Sequence, residues 1–165
     1  MILARYEIRE KMNLSMKISD FLDPDNVVFD LEAGTKTRAL HLLAARASRA
    51  LGIEEERIFS ALHAREKLGS TGIGKGFAIP HTSLPELQKP FGLFARLVTP
   101  VNFEAPDGLQ VEFIFVLLSP ADNRSLHVSA LASISRQIRS KSVLDALRRA
   151  QDARDLYQAI VADTV

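Results

Sequence analysis

The sequence predicts an α/β fold, a three-layer α/β/α sandwich built on a central mixed β-sheet. Three observations carry that prediction. Short apolar runs rich in Val and Phe share one chain with amphipathic segments of helical period, the combination that puts helices over a sheet, here on both faces. At 165 residues the chain has the usual size of a single domain and can bury one sizeable core. No internal repeat, linker or low-complexity tract divides it.

Taken in order, residues 1–16 form a leader with scattered charges and no apolar run. An ordered helix, a ragged leader and an upstream translation start ahead of Met16 all fit it, and it is assigned no function. Residues 17–165 are expected to form the single domain. An apolar patch at Ile18, Phe21 and Leu22 precedes the turn-forming Asp23-Pro24-Asp25-Asn26 and a brief first strand at Val27, Val28 and Phe29. From Thr35 to Leu51, Leu40, Leu43, Ala44, Ala47 and Leu51 line one side of a helix, with Arg38, Arg46 and Arg49 opposite and Gly52 as its stop. A second helix, Glu54 to Leu68, opens with three acidic residues that suit the positive end of the helix dipole, and it ends at Gly69. Residues 69–76, GSTGIGKG, then read as a glycine-rich loop. The next residues, FAIPH, read as a short strand whose exposed end is His81. Phe91 to Val98 and Val111 to Leu118 are strands, separated by turns at Pro100, Pro106, Asp107 and Gly108. Beyond Ser119-Pro120, a helix carrying Leu131, Ile134 and Ile138 runs to about Arg139, and shorter helices cover Val143 to Ala150 and Asp152 to Val161.

Composition removes several function classes. With 21 Lys+Arg against 20 Asp+Glu, the net charge of +1 gives no one-sided basic field, so no nucleic-acid partner is expected. The absence of cysteine excludes disulfides, thiolate nucleophiles and Cys-ligated zinc, and it fits a reducing, cytoplasmic setting. No apolar stretch is long enough for membrane insertion. Four scattered histidines without H-E-x-x-H or a matching carboxylate spacing argue against a metal site. Ser70, Ser83 and Ser119 sit in no G-x-S-x-G elbow. Gly69, Gly74 and Lys75 match the register of a nucleotide phosphate loop, but Gly76 stands where a hydroxyl must hold magnesium and Pro80 interrupts the helix that must follow. What survives is a glycine loop able to hold an anion through backbone N–H groups.

His81 follows a proline that fixes the local backbone, and a neutral imidazole is a competent nucleophile near pH 7. A surface histidine in a turn is the plainer alternative. On the helix of residues 54–68, Arg65 falls on the face of Ile58, Ala61 and Leu62, where a guanidinium needs a partner, or else snorkels to water from the last turn. His127 shares a face with Leu131, Ile134 and Ile138 in the first turn of its helix; it reads either as a core histidine with one hydrogen bond or as a group beside an anion at a helix N-terminus. His41 and His63 fall at the edge or on the polar side of their helices and are not site candidates.

The stretch REKLGSTGIGKGFAIPH, residues 65–81, and the helix containing SLHVSALASISRQI resemble the enzyme IIA components of the bacterial phosphotransferase system. The closer likeness is to the nitrogen-related enzyme IIA of the mannitol/fructose type, and it extends from about residue 17 to residue 161 through GLFARLVTPVNFEAPDGLQVEFIFVLLSPA and LRRAQDARDLYQAI. The resemblance implies that His81 of the A-I-P-H motif accepts a phosphoryl group from the phosphohistidine of an HPr-like phosphocarrier. It implies that His127 is the second site histidine and Arg65 the site arginine, with Ser70, Thr71 and Gly72 supporting the phosphate through backbone and hydroxyl groups and Lys75 as a rim charge for docking. No cofactor or nucleotide is called for. A cytoplasmic carrier with a regulatory purpose is expected, its targets being a transporter, a sensor kinase or a stringent-response enzyme. Two alternatives accompany it: a binding module that regulates partners without phosphorylation, and a sugar-specific enzyme IIA feeding a separate enzyme IIB. The sequence departs from the commonest form at Thr82 and Ser83, which stand where Gly-Lys is usual, and at Phe77, bulkier than the usual aliphatic residue. These departures bear on partner preference and transfer rate.

Overall fold

Strand β6 (Val111–Pro120) organises the molecule, because every other strand reaches the sheet through it or through its neighbour. The computed structural model describes residues 16–163; residues 1–15, nearly all of the expected leader, and 164–165 lie outside the described residues. The remaining strands are β1 (Val27–Leu31), β2 (Gly72–Gly74), β3 (Phe77–Ala78), β4 (His81–Leu84) and β5 (Phe91–Val101). Their order is β1-β5-β6-β3-β2, with β4 also paired to β6 beyond β3. β5 and β6 are antiparallel, β1 runs parallel to β5, β3 and β4 run parallel to β6, and β2 is antiparallel to β3. The sheet is therefore mixed, as the sequence predicts.

Both of its faces are buried, and β6 shows why its sequence is apolar at nearly every position. Ile114, Val116 and Leu118 join the core formed with helices α1 (Lys36–Leu51) and α2 (Glu55–Lys67), where Leu40, Leu43, Ile58 and Leu62 cover them. Phe113, Phe115 and Leu117 point the other way, into the core closed by α3 (Arg124–Ile138), α4 (Lys141–Arg149) and α5 (Ala153–Val161). That alternation is the two-residue period of a strand, and it yields the three layers. The bulk of Phe77 is absorbed in this second core, with its ring 5.0 Å from that of Phe113 and 6.4 Å from that of Phe94. Helix ends are set locally: Thr35 Oγ1 accepts the Arg38 N–H, and Gly52 takes the left-handed conformation (φ 70°) that closes α1.

Three sequence expectations are corrected. Pro100 is not in a turn: β5 continues to Val101, and the pairing register shifts between Arg96 and Val101, so the missing proline N–H breaks no ladder bond. Part of the glycine-rich loop is a strand, because Lys75 and Gly76 both adopt positive φ (57° and 81°) and turn Gly72–Gly74 back along β3 as a tight hairpin. His81 does not end a strand. Ile79-Pro80 interrupts the line, and β4 resumes at His81 beside Leu117 of β6.

Gly92 lies in the same row of the sheet as His81, both paired with Leu117. A Cβ there would stand 3.0 Å from the Phe115 ring and 3.1 Å from the Phe21 carbonyl oxygen, which accepts the Gly92 N–H. Gly92→Ala is expected to destabilise the fold by about 1–3 kcal/mol, measured by denaturant unfolding.

Candidate functional site

The short Ile79-Pro80 break sets the position of His81. The Ile79 N–H is given to Thr71 O at 2.9 Å, and Pro80 O takes the Leu117 N–H at 3.0 Å, so the peptide is pinned between two neighbours. The Ile79 carbonyl is left facing the ring two residues on, with His81 Nδ1 at 2.7 Å. A carbonyl oxygen only accepts, so Nδ1 carries the proton and Nε2 keeps its lone pair. His81 is half-buried at the start of β4, and the His127 ring lies 5.4 Å away, centroid to centroid, tilted by 44°. His127 stands in the first turn of α3 with Nδ1 2.8 Å from the hydroxyl of Ser119, a buried residue near the end of β6.

Both imidazoles are held below their ordinary pKa. For His81 burial is the main cause; the Ile79 hydrogen bond opposes it, the Arg65 guanidinium adds to it, and the Glu66 carboxylate opposes it. For His127 burial again leads, followed by repulsion from His81 and Arg124. A histidine pKa depressed below 6.5 means that the unfolded chain binds more protons near that pH. Acidification from neutrality through 6.5 therefore lowers stability, while His81 stays neutral and nucleophilic further into acid than a free histidine. An NMR titration should place the His81 midpoint below 6.5, and Arg65→Gln should move it upward.

Arg65 occupies the last turn of α2, half-buried, and its Nη1 donates to Gly69 O at 3.0 Å. The guanidinium thus has a partner at the end of its own helix, and its positive charge is felt at His81. Ser70, Thr71 and Gly72 form the loop beside it, and both hydroxyls and the N–H groups of Thr71 and Gly72 are engaged within the protein. Thr71 gives its N–H to Glu66 Oε1 at 3.0 Å and its hydroxyl to Glu66 Oε2; Ser70 donates to Phe103 O and accepts the Gly72 N–H at 3.0 Å. Gly72 packs so closely that a Cβ would sit 3.0 Å from that of Ala105.

Lys75 lies elsewhere. Its N–H binds Asp107 Oδ2 at 2.8 Å at the hairpin turn, the end of β3 away from His81. The backbone donors of Lys75 and Leu109 hold the exposed Asp107 carboxyl below the usual range. His41 and His63 stack on Phe59, at 3.5 and 5.3 Å, in the α1–α2 layer.

Sequence reasoning gave no site role to Glu66, Lys36 or Ser119. Glu66 is buried and binds Lys36 Nζ at 2.9 Å as well as Thr71, fixing the loop next to Arg65. It follows Ile58 and Leu62 at successive steps of four residues, which puts a carboxylate on an apolar stripe, a signal that asks for a buried cation. Ser119 was weighed only as a nucleophile, and no local pattern joins it to His127. Among the described residues no group of three or more His, Cys, Asp or Glu could hold a metal ion, and no helix is long and apolar enough to cross a membrane.

The sequence profile of the family described as "Phosphoenolpyruvate-dependent sugar phosphotransferase system, EIIA 2" matches residues 20–162. The chain belongs to that family. This makes it a phosphotransferase-system phosphoryl carrier of the enzyme IIA type, and the fold agrees. A nitrogen regulatory protein of Bradyrhizobium diazoefficiens is 42% identical to this enzyme IIA over 145 residues, covering 88% of this chain and 95% of that one. The crystal structure of the nitrogen regulatory protein IIA-Ntr from Neisseria meningitidis superposes with a TM-score of 0.82 at 34% identity, over 87% of this chain and 98% of that one. An Escherichia coli enzyme IIA-Mtl, solved in complex with phosphorylated enzyme IIB-Mtl, shares the fold at 18% identity and a TM-score of 0.71, over 87% of this chain and all (100%) of that one.

Proposed function

We propose that this enzyme IIA accepts a phosphoryl group on Nε2 of His81 from the phosphohistidine of an HPr-like carrier in the cytoplasm, and that the phosphorylated and free forms regulate different protein targets. One observation carries the reading: Nδ1 of His81 is anchored to the Ile79 carbonyl, which leaves Nε2 as the nitrogen without a proton, on a ring 5.4 Å from that of His127 and within the electrostatic influence of the Arg65 guanidinium. The bond from phosphorus to the donor nitrogen breaks as the bond to His81 Nε2 forms, and the electron pair of the broken bond stays on the donor ring. The Nδ1 proton does not move; its bond to Ile79 O takes up part of the positive charge that the acceptor ring gains. Arg65 offsets charge on the phosphoryl oxygens, and His127 supplies a hydrogen bond to them. Ser70, Thr71 and Gly72 serve by holding the loop that carries this geometry.

Protein docking suits the surroundings better than capture of a small substrate. Leu68, three residues after Arg65, is 85% exposed, and Val128, beside His127, is 55% exposed. Nearly two negative charges added at this spot can repel one target and attract another, which is how a regulatory role follows from carriage. The nitrogen regulatory names of the relatives support that purpose over sugar uptake.

The deciding experiment charges a purified HPr-like donor with phosphoenolpyruvate and adds the chain. Intact mass should rise by one phosphoryl group, labile to acid and stable to alkali, and phosphorus–nitrogen coupling should place it on Nε2 of His81. Absence of transfer from a competent cognate donor, or phosphate on another residue, overturns the assignment and favours a binding module that works without phosphorylation.

A further inference from the structure

The two site histidines have different partners, and the difference fixes where their protons lie. The Ile79 carbonyl can only accept, so His81 is protonated at Nδ1. Ser119 is 0% exposed, and its Oγ contact to His127 Nδ1, at 2.8 Å, is the hydrogen bond its side chain makes. If His127 donated from Nδ1, the hydroxyl proton of Ser119 would be buried with no acceptor among the described residues, the arrangement that native interiors avoid. Ser119 therefore donates, Nδ1 accepts, and His127 carries its proton on Nε2. Burial keeps the His127 ring neutral near pH 7, so it has one N–H to offer and its position is decided by Ser119.

We infer that Ser119 is a positioning residue for phosphoryl transfer: its buried hydroxyl holds His127 in the Nε2–H tautomer, opposite to that of His81, so that a neutral donor faces the phosphoryl group arriving on a bare nitrogen. The inference rests on the proposed role of His81. The opposed tautomers match the demands of the step. The acceptor needs a lone pair at Nε2, and the oxygens of the moving group need a hydrogen-bond donor. A His127 protonated only on Nδ1 would instead turn a lone pair toward those oxygens and repel them. The fold supplies the pair cheaply, because Ser119 and His81 belong to adjacent strands, with Ser83 the direct partner of Ser119 and His81 that of Leu117.

The test reads tautomers and transfer separately. Long-range proton–nitrogen correlation spectra of the 15N-histidine-labelled chain, taken above pH 7, should show protonated Nδ1 for His81 and protonated Nε2 for His127. Ser119→Ala should leave His81 unchanged, bring His127 into a mixture containing the Nδ1–H form, and slow single-turnover phosphoryl acceptance by about tenfold, less than loss of a whole oriented donor. Ser119→Thr, which retains the hydroxyl, should restore both the tautomer and the rate. A wild-type His127 protonated on Nδ1, or a Ser119→Ala variant with unaltered tautomer and rate, overturns the inference. If the wild type accepts no phosphoryl group while its tautomers are opposed as stated, the carrier reading is at fault and the assignment of Ser119 as setting the His127 tautomer stands.

Discussion

His81→Ala is expected to abolish phosphoryl acceptance, with no residual acid-labile mass gain, because it removes the atom to which phosphorus bonds in the proposed transfer. The neighbouring variants should behave differently. His127→Ala and Arg65→Ala leave Nε2 of His81 in place and remove one stabilising group each, so transfer should slow by roughly 10²–10³-fold and still go to completion. The contrast between abolition and slowing separates the acceptor from its helpers. The order also tests geometry, since the two histidines lie with ring centroids only 5.4 Å apart and either could be mistaken for the acceptor. If phosphate survived on the chain after His81→Ala and vanished after His127→Ala, the roles would be exchanged. His81→Gln gives a further control: it retains a polar side chain at the start of β4 but has no nucleophilic nitrogen, and its folding should match the wild type while its acceptance matches His81→Ala.

How much of this was legible in the chain depends on the distance over which each signal acts. The helices and the long strands were readable because period and capping are local: Leu40, Leu43, Ala44 and Ala47 lie on one stripe, and Gly52 ends it. Arg65 and His127 were readable for the same reason, as polar groups placed on apolar faces. The hairpin at Gly72–Gly74 was not, because three glycines in five residues read as a loop until the sheet beside them supplies partners for the backbone. His81 was expected at a strand end because Pro80 looks like a terminator; β6 runs past that proline and restarts the pairing. Ser119 and Lys36 act on residues from other elements, and no spacing within one helix or strand announces such a contact.

Glu66 is expected to carry a large stability effect outside the hydrophobic cores. Its side chain is 3% exposed, and three interactions converge on it: Lys36 Nζ at 2.9 Å, the Thr71 N–H at 3.0 Å and the Thr71 hydroxyl. Such a pair need not stabilise the fold relative to apolar residues of the same shape, but removing one member leaves the other without compensation. Glu66→Ala is expected to cost about 3–5 kcal/mol, and at this chain length each kcal/mol lowers Tm by roughly 2–4 °C. Lys36→Met should cost a comparable amount, because it strands the more deeply buried charge: the Lys36 side chain is 21% exposed and can reach water, whereas the Glu66 carboxylate cannot. Glu66→Gln keeps one oxygen as acceptor for Thr71, sets an amide NH2 where the other oxygen accepted, and loses the ion pair, so it should fall between the wild type and Glu66→Ala. The double variant Lys36→Met with Glu66→Gln should regain much of what Lys36→Met loses, a coupling that chemical denaturation in a double-mutant cycle measures directly. Equal and additive losses would show that the pair contributes nothing as a pair. Because Glu66 also fixes the Thr71 backbone next to Arg65, folded Glu66→Gln should accept phosphate more slowly than its stability alone accounts for, tying this buried carboxylate to the site it supports.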